Sequence, residues 1–371
     1  LIMAAALTSV SVLTATAQLN GDGFYRAKNV KTERYMTVKD NHGKIDYHST
    51  TVDAGALETS RIWANISCDP GSVMYIQKQS NGEYNIMAQG TSVYDMIGYY
   101  IHLTNGATAN SYQAWQTAHG MTVYLTDARS SNDEEYVYDS GKYTKDWYII
   151  PVSSSSDNYL GIKPTVTVGD KHYSAYYNGF TFKPVSKGMK VMYITGVDEV
   201  NGYAIYKEVT GEVPAKSPVI VECSSTEPTD NRIDLFMDNT AALSNNKLKG
   251  NYFNVWNDMS GHRNRTAYDP TTMRVIGVCA NGKPGMVKSS TLDYLQANSS
   301  YLTVSANCKA DLELISEEAY AAGINDVTVD SSKEPANVYN LMGVKVRSKV
   351  TSIEDLPQGV YIFKGKKVTV K

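Results

Sequence analysis

The chain has 371 residues, a length that predicts two or three domains at roughly 100–200 residues each. It carries 35 Lys and Arg against 38 Asp and Glu, a formal net charge of −3 without a basic stripe, and this balance argues against a nucleic-acid-binding protein. Its aromatic residues are mainly tyrosine, 28 Tyr against 6 Phe, and polar-tipped rings of this kind are typical of half-buried strands and wet binding surfaces.

The first 17 residues have the pattern of an export signal. Residues 1–13 are apolar and uncharged, and Ala15-Thr16-Ala17 supplies the small-x-small sequence that precedes signal-peptidase cleavage. This run is shorter than the ~20 residues that span a bilayer, and no later run reaches that length. We therefore expect a signal peptide over 1–17, a mature chain from about Gln18 without a transmembrane span, and a secreted or cell-surface location. The alternative is a buried N-terminal strand or helix.

Residues 18–152 contain a weak threefold repeat of aromatic residues. Each unit has a leading tyrosine and a closing tryptophan, namely Tyr25 and Trp63, Tyr75 and Trp115, and Tyr124 and Trp147. Each unit is predicted to be a β-hairpin followed by further strands, which cannot bury its apolar face alone, so three together predict a small barrel. The simplest interpretation of these six side chains is that they form the core of the barrel and have no binding role.

The sequence around two of the tryptophans resembles the ricin-type β-trefoil family. Residues 60–66 and the Gln-x-Trp sequence of Gln113 and Trp115 carry the resemblance, which covers the first domain only. It implies a sugar site, with an aromatic face for the ring and planar polar groups for the hydroxyls. The family's sugar-binding repeats carry an Asp where this chain has Thr37, which is a departure from the pattern. The candidate ligand-binding side chains are Asp40, Asn41, Gln113 and Trp115.

A polar stretch over residues 153–158 predicts a linker or long turn between domains. Beyond it, short alternating apolar segments predict strands at 180–182, 189–194, 203–209, 219–221, 273–278, 285–288, 301–304 and 312–315. The sequence Val213-Pro214-Ala215 ahead of an apolar strand resembles a β-sandwich module recurrent in exported proteins of bacteria that use type IX secretion. We therefore predict a central β-sandwich over residues 153–317.

Residues 318–371 are predicted to be a linker and a small β tail. A short helix is predicted over Ser316 to Ala322, across the start of this segment. The tail contains Tyr-x-Leu-x-Gly from Tyr339, then Leu-Pro-x-Gly-Val-Tyr-Ile from Leu356, and ends in a basic, apolar strand. These features resemble the C-terminal sorting domain of type IX secretion. The resemblance implies a small β-sandwich that engages the export machinery of a Gram-negative bacterium; an ordinary terminal β-domain is the alternative.

The sequence motifs of catalysis and metal binding are mostly absent. None of the histidines lies in HExxH, and the spacing of His42, Asp46 and His48 matches no zinc pattern. Residues 277–283 fit the GxxxxGK pattern of a phosphate loop, but Pro284 replaces the required Ser or Thr, and an Asn-Gly hairpin turn explains the segment better. The chain also lacks GxSxG. We therefore expect no catalytic residue, no metal site and no cofactor.

The four cysteines are too few for a disulfide-built scaffold of this length. Cys68, Cys223, Cys279 and Cys308 allow three pairings, and the sequence does not choose among them. If a bridge forms, Cys279 and Cys308 are the expected pair, because both are predicted to lie in strands of one domain.

Together these patterns predict an all-β exported protein with an N-terminal β-trefoil-like barrel, a central β-sandwich and a small C-terminal β-sandwich tail. The expected function is non-catalytic binding, with a glycan or a host or surface protein as partner of the barrel and the export machinery as partner of the tail. No contact with nucleic acid is expected. A structural surface or envelope protein, and a secreted hydrolase or protease inhibitor, are the alternatives.

Overall fold

The structure is a computed structural model that describes residues 19–38, 57–60, 62–88, 102–118, 121–127, 134–136, 145–237, 240–251, 266–308, 311–323, 336–341, 343–363 and 366–370. Over these ranges the chain forms strands and two short α-helices, α1 (Trp63–Ile66) and α2 (Glu317–Ala321). The predicted all-β class is confirmed. Neither helix of the described residues has the length and apolar character to cross a bilayer. The predicted signal peptide lies outside the described residues, as do Asp40 and Asn41.

The first part of the chain forms a ten-stranded, barrel-like sheet. Its strands are β1 (Gly23–Asn29), β2 (Tyr35–Val38), β3 (Leu57–Ser60), β4 (Met74–Lys78), β5 (Tyr84–Ala88), β6 (His102–Asn105), β7 (Tyr112–Ala118), β8 (Met121–Tyr124), β9 (Glu134–Tyr136) and β10 (Asp146–Pro151). The main path runs β6-β7-β10-β1-β2-β3-β9, with β4 paired to β1 and β5, and β8 paired to β7. Because β1 pairs with β10, the first and last strands of this sheet are neighbours.

The barrel has an apolar core of its own. Tyr25, Met36, Met74, Trp147 and Ile149 are among its buried side chains. The indole N–H of Trp147 donates to the carbonyl of Leu125 at 3.0 Å, so its one polar atom is satisfied. A cavity of about 20 Å³ remains between these side chains, which is far smaller than a ligand pocket.

The six repeat aromatics do not occupy equivalent places in the barrel. Antiparallel pairing of β1 with β4 sets Tyr25 opposite Met74 and Phe24 opposite Tyr75. Neighbouring residues of a strand point to opposite faces. Tyr25 therefore points into the barrel core, whereas Tyr75 points away from it. The interpretation of all six as barrel core is therefore wrong for Tyr75, and also for Trp63, Trp115 and Tyr124, which are only half-buried. The trefoil arrangement itself stays a prediction.

A buried arginine joins the barrel to the segment that follows it. Arg26 lies on β1, is fully buried, and all three of its nitrogens donate hydrogen bonds. Its Nε donates to Ser72 Oγ at 2.8 Å, and its Nη2 donates to the carbonyl of Ile66 at 3.0 Å. Its Nη1 donates to Asn158 Oδ1 at 2.9 Å and to the carbonyl of Tyr159 at 2.8 Å. Burial lowers the pKa of Arg26 to about 10, so it remains a buried cation at neutral pH, which is costly unless fully bonded.

The polar stretch after β10 is an ordered turn, which confirms the turn alternative of the prediction. The backbone N–H of Ser156 donates to the carbonyl of Ser153 at 3.1 Å. The side-chain amide of Asn158 then donates to the carbonyls of Ile150 and Pro151 at 3.0 and 2.8 Å. Asn158 therefore holds the end of β10 with its nitrogen and Arg26 with its oxygen.

An apolar cluster continues across this turn. It contains Phe24, Val73 and Tyr75 from the barrel together with Leu160 and Phe180 from the following region, among other side chains. The Phe24 ring lies 5.3 Å from that of Tyr75 and 5.6 Å from that of Phe180, measured between centroids. The outer face of β1 and β4 is therefore covered by the next part of the chain.

The middle region contains a ten-stranded sheet and a three-stranded sheet. Its strands are β11 (Leu160–Gly161), β12 (Val166–Val168), β13 (Lys171–Tyr176), β14 (Thr181–Pro184), β15 (Lys190–Asp198), β16 (Tyr203–Glu208), β17 (Val219–Cys223), β18 (Arg232–Phe236), β19 (Leu248–Asn251), β20 (Met273–Val278), β21 (Pro284–Val287), β22 (Ser299–Thr303) and β23 (Asp311–Ser316). The strand orders are β12-β13-β17-β15-β16-β23-β21-β20-β22-β19 and β11-β18-β14. Every strand segment predicted between residues 180 and 315 coincides with a strand.

The large sheet curls around one apolar cluster and packs its outer side against another. Tyr173, Ile220, Ile276 and Leu302, from strands near both ends of the sheet, share the inner cluster. The outer cluster is the one that also holds the barrel residues and the three-stranded sheet. The strands thus bury side chains on both faces, which explains the near-continuous apolar runs in their sequence.

Two local predictions are confirmed in this region. Residues 277–283 form a strand and a hairpin turn rather than a phosphate loop, with Gly282 at φ +82° and the N–H of Cys279 donating to the carbonyl of Lys283 at 2.8 Å. The predicted helix is α2, and Ser316 caps it by accepting a hydrogen bond from the N–H of Ala319 at 3.1 Å.

The tail is a four-stranded antiparallel sheet in the order β25-β24-β26-β27. Its strands are β24 (Ala336–Asn340), β25 (Lys345–Val350), β26 (Gly359–Phe363) and β27 (Lys366–Val370). Val338 and Phe363 from the sheet share a small apolar cluster with Ile353 and Leu356 from the loop between β25 and β26. The tail therefore consists of one sheet, and the loop between β25 and β26 covers its apolar face.

Replacing Asn158 by Ala should lower the free energy of unfolding by about 2–4 kcal/mol, because it removes an acceptor from a buried guanidinium and a donor from two carbonyls. Chemical denaturation of the full chain measures this difference. The neighbouring Asp157 is exposed, and Asp157→Ala should change the free energy by no more than about 0.5 kcal/mol. Equal losses in the two variants would contradict a structural role for the Arg26 contacts.

Candidate functional site

The structure places two of the four predicted ligand-binding side chains on one outward surface. Gln113 and Trp115 are two residues apart on β7 and share a face, while Ala114 between them is buried in the barrel core. The strand is thus amphipathic in the ordinary way, with its polar and aromatic side directed away from the core. Asp40 and Asn41 lie outside the described residues, so the structure does not relate them to this surface.

Trp115 is held by two residues of the neighbouring strand β6. Its ring stacks on His102, with centroids 4.1 Å apart and an interplanar angle of 23°, and these two residues are cross-strand partners. Its indole N–H donates to Thr104 Oγ1 at 3.3 Å. His102 is in turn held by Glu83, with Nε2 and Oε1 at 3.2 Å. The half-buried indole therefore has a fixed orientation.

Gln113 is held by the first residue of β10. Its Nε2 donates to Asp146 Oδ1 at 2.7 Å. The other oxygen of Asp146 accepts hydrogen bonds from the backbone N–H groups of Ala107 and Thr108, at 2.8 and 3.3 Å. Asp146 therefore fixes both the amide and the turn between β6 and β7. The Oε1 atom of Gln113 accepts no hydrogen bond from the described residues.

We call the surface formed by His102, Thr104, Gln113, Trp115 and Asp146 the β6–β7 face. It offers an aromatic ring, a planar amide with an open acceptor, and a hydroxyl, all on rigid paired strands. This chemistry fits a ligand that presents both C–H surface and hydroxyl groups. The carboxylates of Asp146 and of the adjacent Glu83 already accept hydrogen bonds, so the groups left for a ligand are the indole, the Gln113 acceptor and the Thr104 hydroxyl.

Sequence reasoning missed His102, Thr104 and Asp146 as parts of this surface. The alternation His102-Leu103-Thr104 ahead of the turn that follows Asn105 is a local signal for β6. It places both polar side chains on one face, and Leu103 packs against the core. Asp146 becomes a neighbour of Gln113 only through the pairing of β10 with β7, which involves residues 33 positions apart.

All four cysteines are free thiols, so the Cys279–Cys308 pair that is expected if a bridge forms is not present. Cys279 is buried near Asp311 and Glu313, whereas Cys308 lies near Glu199 and Arg274. Burial raises the pKa of Cys223 and of Cys279 to about 12, which leaves these thiols protonated and poor nucleophiles at neutral pH. Among the described residues, no three His, Cys, Asp or Glu side chains are grouped so as to hold a metal ion.

No model of a known protein family matches this chain, and no curated protein matches it. A solved structure described as "CARDS toxin, nicked" is similar to it, with 8% sequence identity and a TM-score of 0.19. The similarity covers 78% of this chain and 53% of that one, so this chain spans about half of the toxin chain's length. A TM-score this low supports no inference about fold or function.

Two tryptophans of the repeat should differ sharply in their contribution to stability. Trp147→Ala should cost about 3–5 kcal/mol, because the ring is buried in the barrel core. Trp115→Ala should cost about 1 kcal/mol, because the ring is half-exposed on the β6–β7 face. Denaturant unfolding of both variants measures the difference, and a Trp115 variant as unstable as the Trp147 variant would show that Trp115 is a core residue.

The thiols of Cys223 and Cys279 should react only after unfolding. At about pH 8, with pKa values near 12, roughly one part in ten thousand of Cys223 and Cys279 is thiolate, and burial limits access further. A thiol reagent should leave both unmodified in the native protein and modify all four cysteines in denaturant without reductant. Fewer than four reactive thiols in denaturant would reveal a disulfide.

Proposed function

We propose that this chain is an exported, non-catalytic binding protein whose β6–β7 face binds a glycan. The observation that carries the proposal is the fixed pair of Gln113 and Trp115 on the outward side of β7. Trp115 supplies an apolar plane on which the C–H face of a sugar ring can rest. Gln113 supplies an acceptor for a sugar hydroxyl, and Thr104 and His102 add further polar atoms beside the ring.

Preorganisation supports binding at this face. The indole is fixed by the His102 stack and the Thr104 hydrogen bond, and the amide is fixed by Asp146. A ligand therefore does not have to order these side chains, a cost that otherwise weakens association by about 0.5–1.5 kcal/mol for each flexible side chain.

Among the described residues of the first repeat unit, the position of the family's sugar-binding Asp offers no equivalent site. Thr37 takes the place of the sugar-binding Asp of the ricin-type β-trefoil family that the sequence resembles. It is buried, and its hydroxyl donates to Asp69. Asp69 also accepts from the N–H of Gly71 at 2.7 Å and so orders the turn after α1. The glycan proposal therefore rests on the β6–β7 face rather than on the family's usual position.

The export part of the proposal rests on sequence. The leader pattern of residues 1–17 and the sorting-domain-like tail motifs support secretion or surface display by a Gram-negative bacterium, with the tail as the part that engages the export machinery. The four-stranded tail sheet, with an apolar core of its own, provides a separate unit for that role.

Glycan-array binding by the full mature chain tests the proposal. The full chain is needed because Phe24 and Tyr75 of the barrel are covered by the middle region. Specific binding should fall at least tenfold in Trp115→Ala and about fivefold in Gln113→Ala, through loss of the stacking plane and of one hydrogen bond. Tyr320→Ala is the matched control, since Tyr320 is an exposed aromatic residue on α2.

Each other outcome has a distinct meaning. Unchanged binding in both barrel variants would move the site away from the β6–β7 face. Folded protein that binds no glycan would contradict the proposal, and self-assembly without ligand would then favour a structural surface or envelope role. Turnover of a polysaccharide or peptide library, or inhibition of a protease, would favour the hydrolase or inhibitor alternative.

A further inference from the structure

The tail differs in charge from the rest of the chain. Residues 336–371 contain seven Lys or Arg and two Asp or Glu, a net charge of +5, whereas the remaining residues have a net charge of −8. The excess positive charge is therefore concentrated in about a tenth of the sequence. A charge asymmetry of this kind is typical of a segment that meets an anionic partner.

The basic side chains lie on the two edge strands of the tail sheet. Lys345 and Lys349 are on β25, Lys366 and Lys367 are on β27, and all four are exposed. None of them forms an ion pair with a described residue, whereas Arg347 on β25 is paired with Asp355. The edges thus present unneutralised ammonium groups to solvent.

Aliphatic side chains project from the hairpin between β24 and β25. Leu341 is 59% exposed, Val344 is 57% exposed and Val346 is 43% exposed. They are among the most exposed large apolar residues of the described chain, and they are close together in sequence at one hairpin end.

The hairpin turn is well ordered. The N–H of Gly343 donates to the carbonyl of Asn340 at 3.0 Å, and the N–H of Val344 donates to the side chain of the same residue at 2.9 Å. Gly343 has φ +79°, a conformation that favours glycine. The exposed aliphatic groups are therefore displayed by a fixed turn.

We propose that this hairpin docks onto an anionic lipid bilayer. Leu341 and Val344 enter the boundary between headgroups and acyl chains, and Lys345 and Lys349 lie against the anionic headgroups. Apolar side chains flanked by cations are the combination that such a surface selects. A hairpin end with exposed aliphatic side chains and nearby cations can enter a deformable lipid layer.

Edge protection alone does not explain these residues. Lysines on an edge strand discourage pairing with other sheets, and that role accounts for Lys345 and Lys349. It does not account for Leu341, Val344 and Val346, which a protective edge would replace by polar residues. The aliphatic groups therefore distinguish a docking surface from a merely soluble edge.

Vesicle flotation of the full mature chain tests the proposal. The lipids are phosphatidylcholine alone, or phosphatidylcholine with about one-third phosphatidylglycerol, at about 0.1 M and about 1 M salt. Binding should require phosphatidylglycerol and should weaken at high salt. It should fall at least tenfold in Leu341→Ser/Val344→Ser, and about twenty-five-fold in Lys345→Gln/Lys349→Gln at about fivefold per lysine.

Val200→Ser is the matched control. Val200 is 79% exposed in the turn between β15 and β16, and its loss should leave vesicle binding unchanged. Because all of these side chains are exposed, the variants should retain the wild-type circular dichroism spectrum and melting temperature.

Other results would overturn the proposal. Absence of binding to the anionic vesicles, or equal binding to neutral ones, would exclude an anionic bilayer as the partner. Binding that the lysine variant loses and the Leu341/Val344 variant keeps would exclude insertion, and competition by a soluble polyanion such as heparin would then identify a purely ionic site. None of these readouts depends on glycan binding by the barrel, so the two proposals fail separately.

Discussion

The hydrogen bonds of the Arg26 guanidinium hold the barrel to the middle region. A buried cation is tolerated only when its donors are satisfied, and here the acceptors come from α1, from the turn before β4 and from the turn after β10. Once these segments are fixed around Arg26, Phe24 beside it on β1 enters the apolar cluster of the middle sheet. The barrel and the middle region are thus packed together by a polar contact from Arg26 and an apolar contact from Phe24, two alternate residues on one face of β1.

Strand β10 connects this junction to the β6–β7 face. It pairs with β1 along most of its length, from Pro151 opposite Tyr25 to Trp147 opposite Asn29. Its last carbonyls accept hydrogen bonds from Asn158, and Asp146 at its other end holds Gln113. Trp147, between these ends, is buried in the barrel core. The position of the face is therefore set by the same strand that anchors the junction, which explains how an outward surface gains a rigid support.

Local sequence patterns were sufficient for the all-β class, for the middle strands from residue 180 onwards and for α2, because alternation and capping act between near neighbours. They were insufficient for the burial of Arg26 on β1. Its burial depends on partners 40 to 133 residues away. The same limit applies to the site. Gln113 and Trp115 share a face by their spacing alone, whereas His102 and Asp146 join them only through strand register.

The β6–β7 face and the tail hairpin differ in whether their charged groups already have partners. This difference favours a neutral ligand for the first and an anionic one for the second. On the β6–β7 face, Asp146 accepts three hydrogen bonds and Glu83 lies against His102, so the proposed glycan would meet neutral groups and its binding should respond weakly to salt. On the tail, Lys345 and Lys349 have no ion-pair partner among the described residues, so their attraction to anions is long-range and is screened within about 10 Å at 0.1 M salt. The two proposed contacts should therefore separate by experiment, because raising the salt concentration weakens only the ionic one.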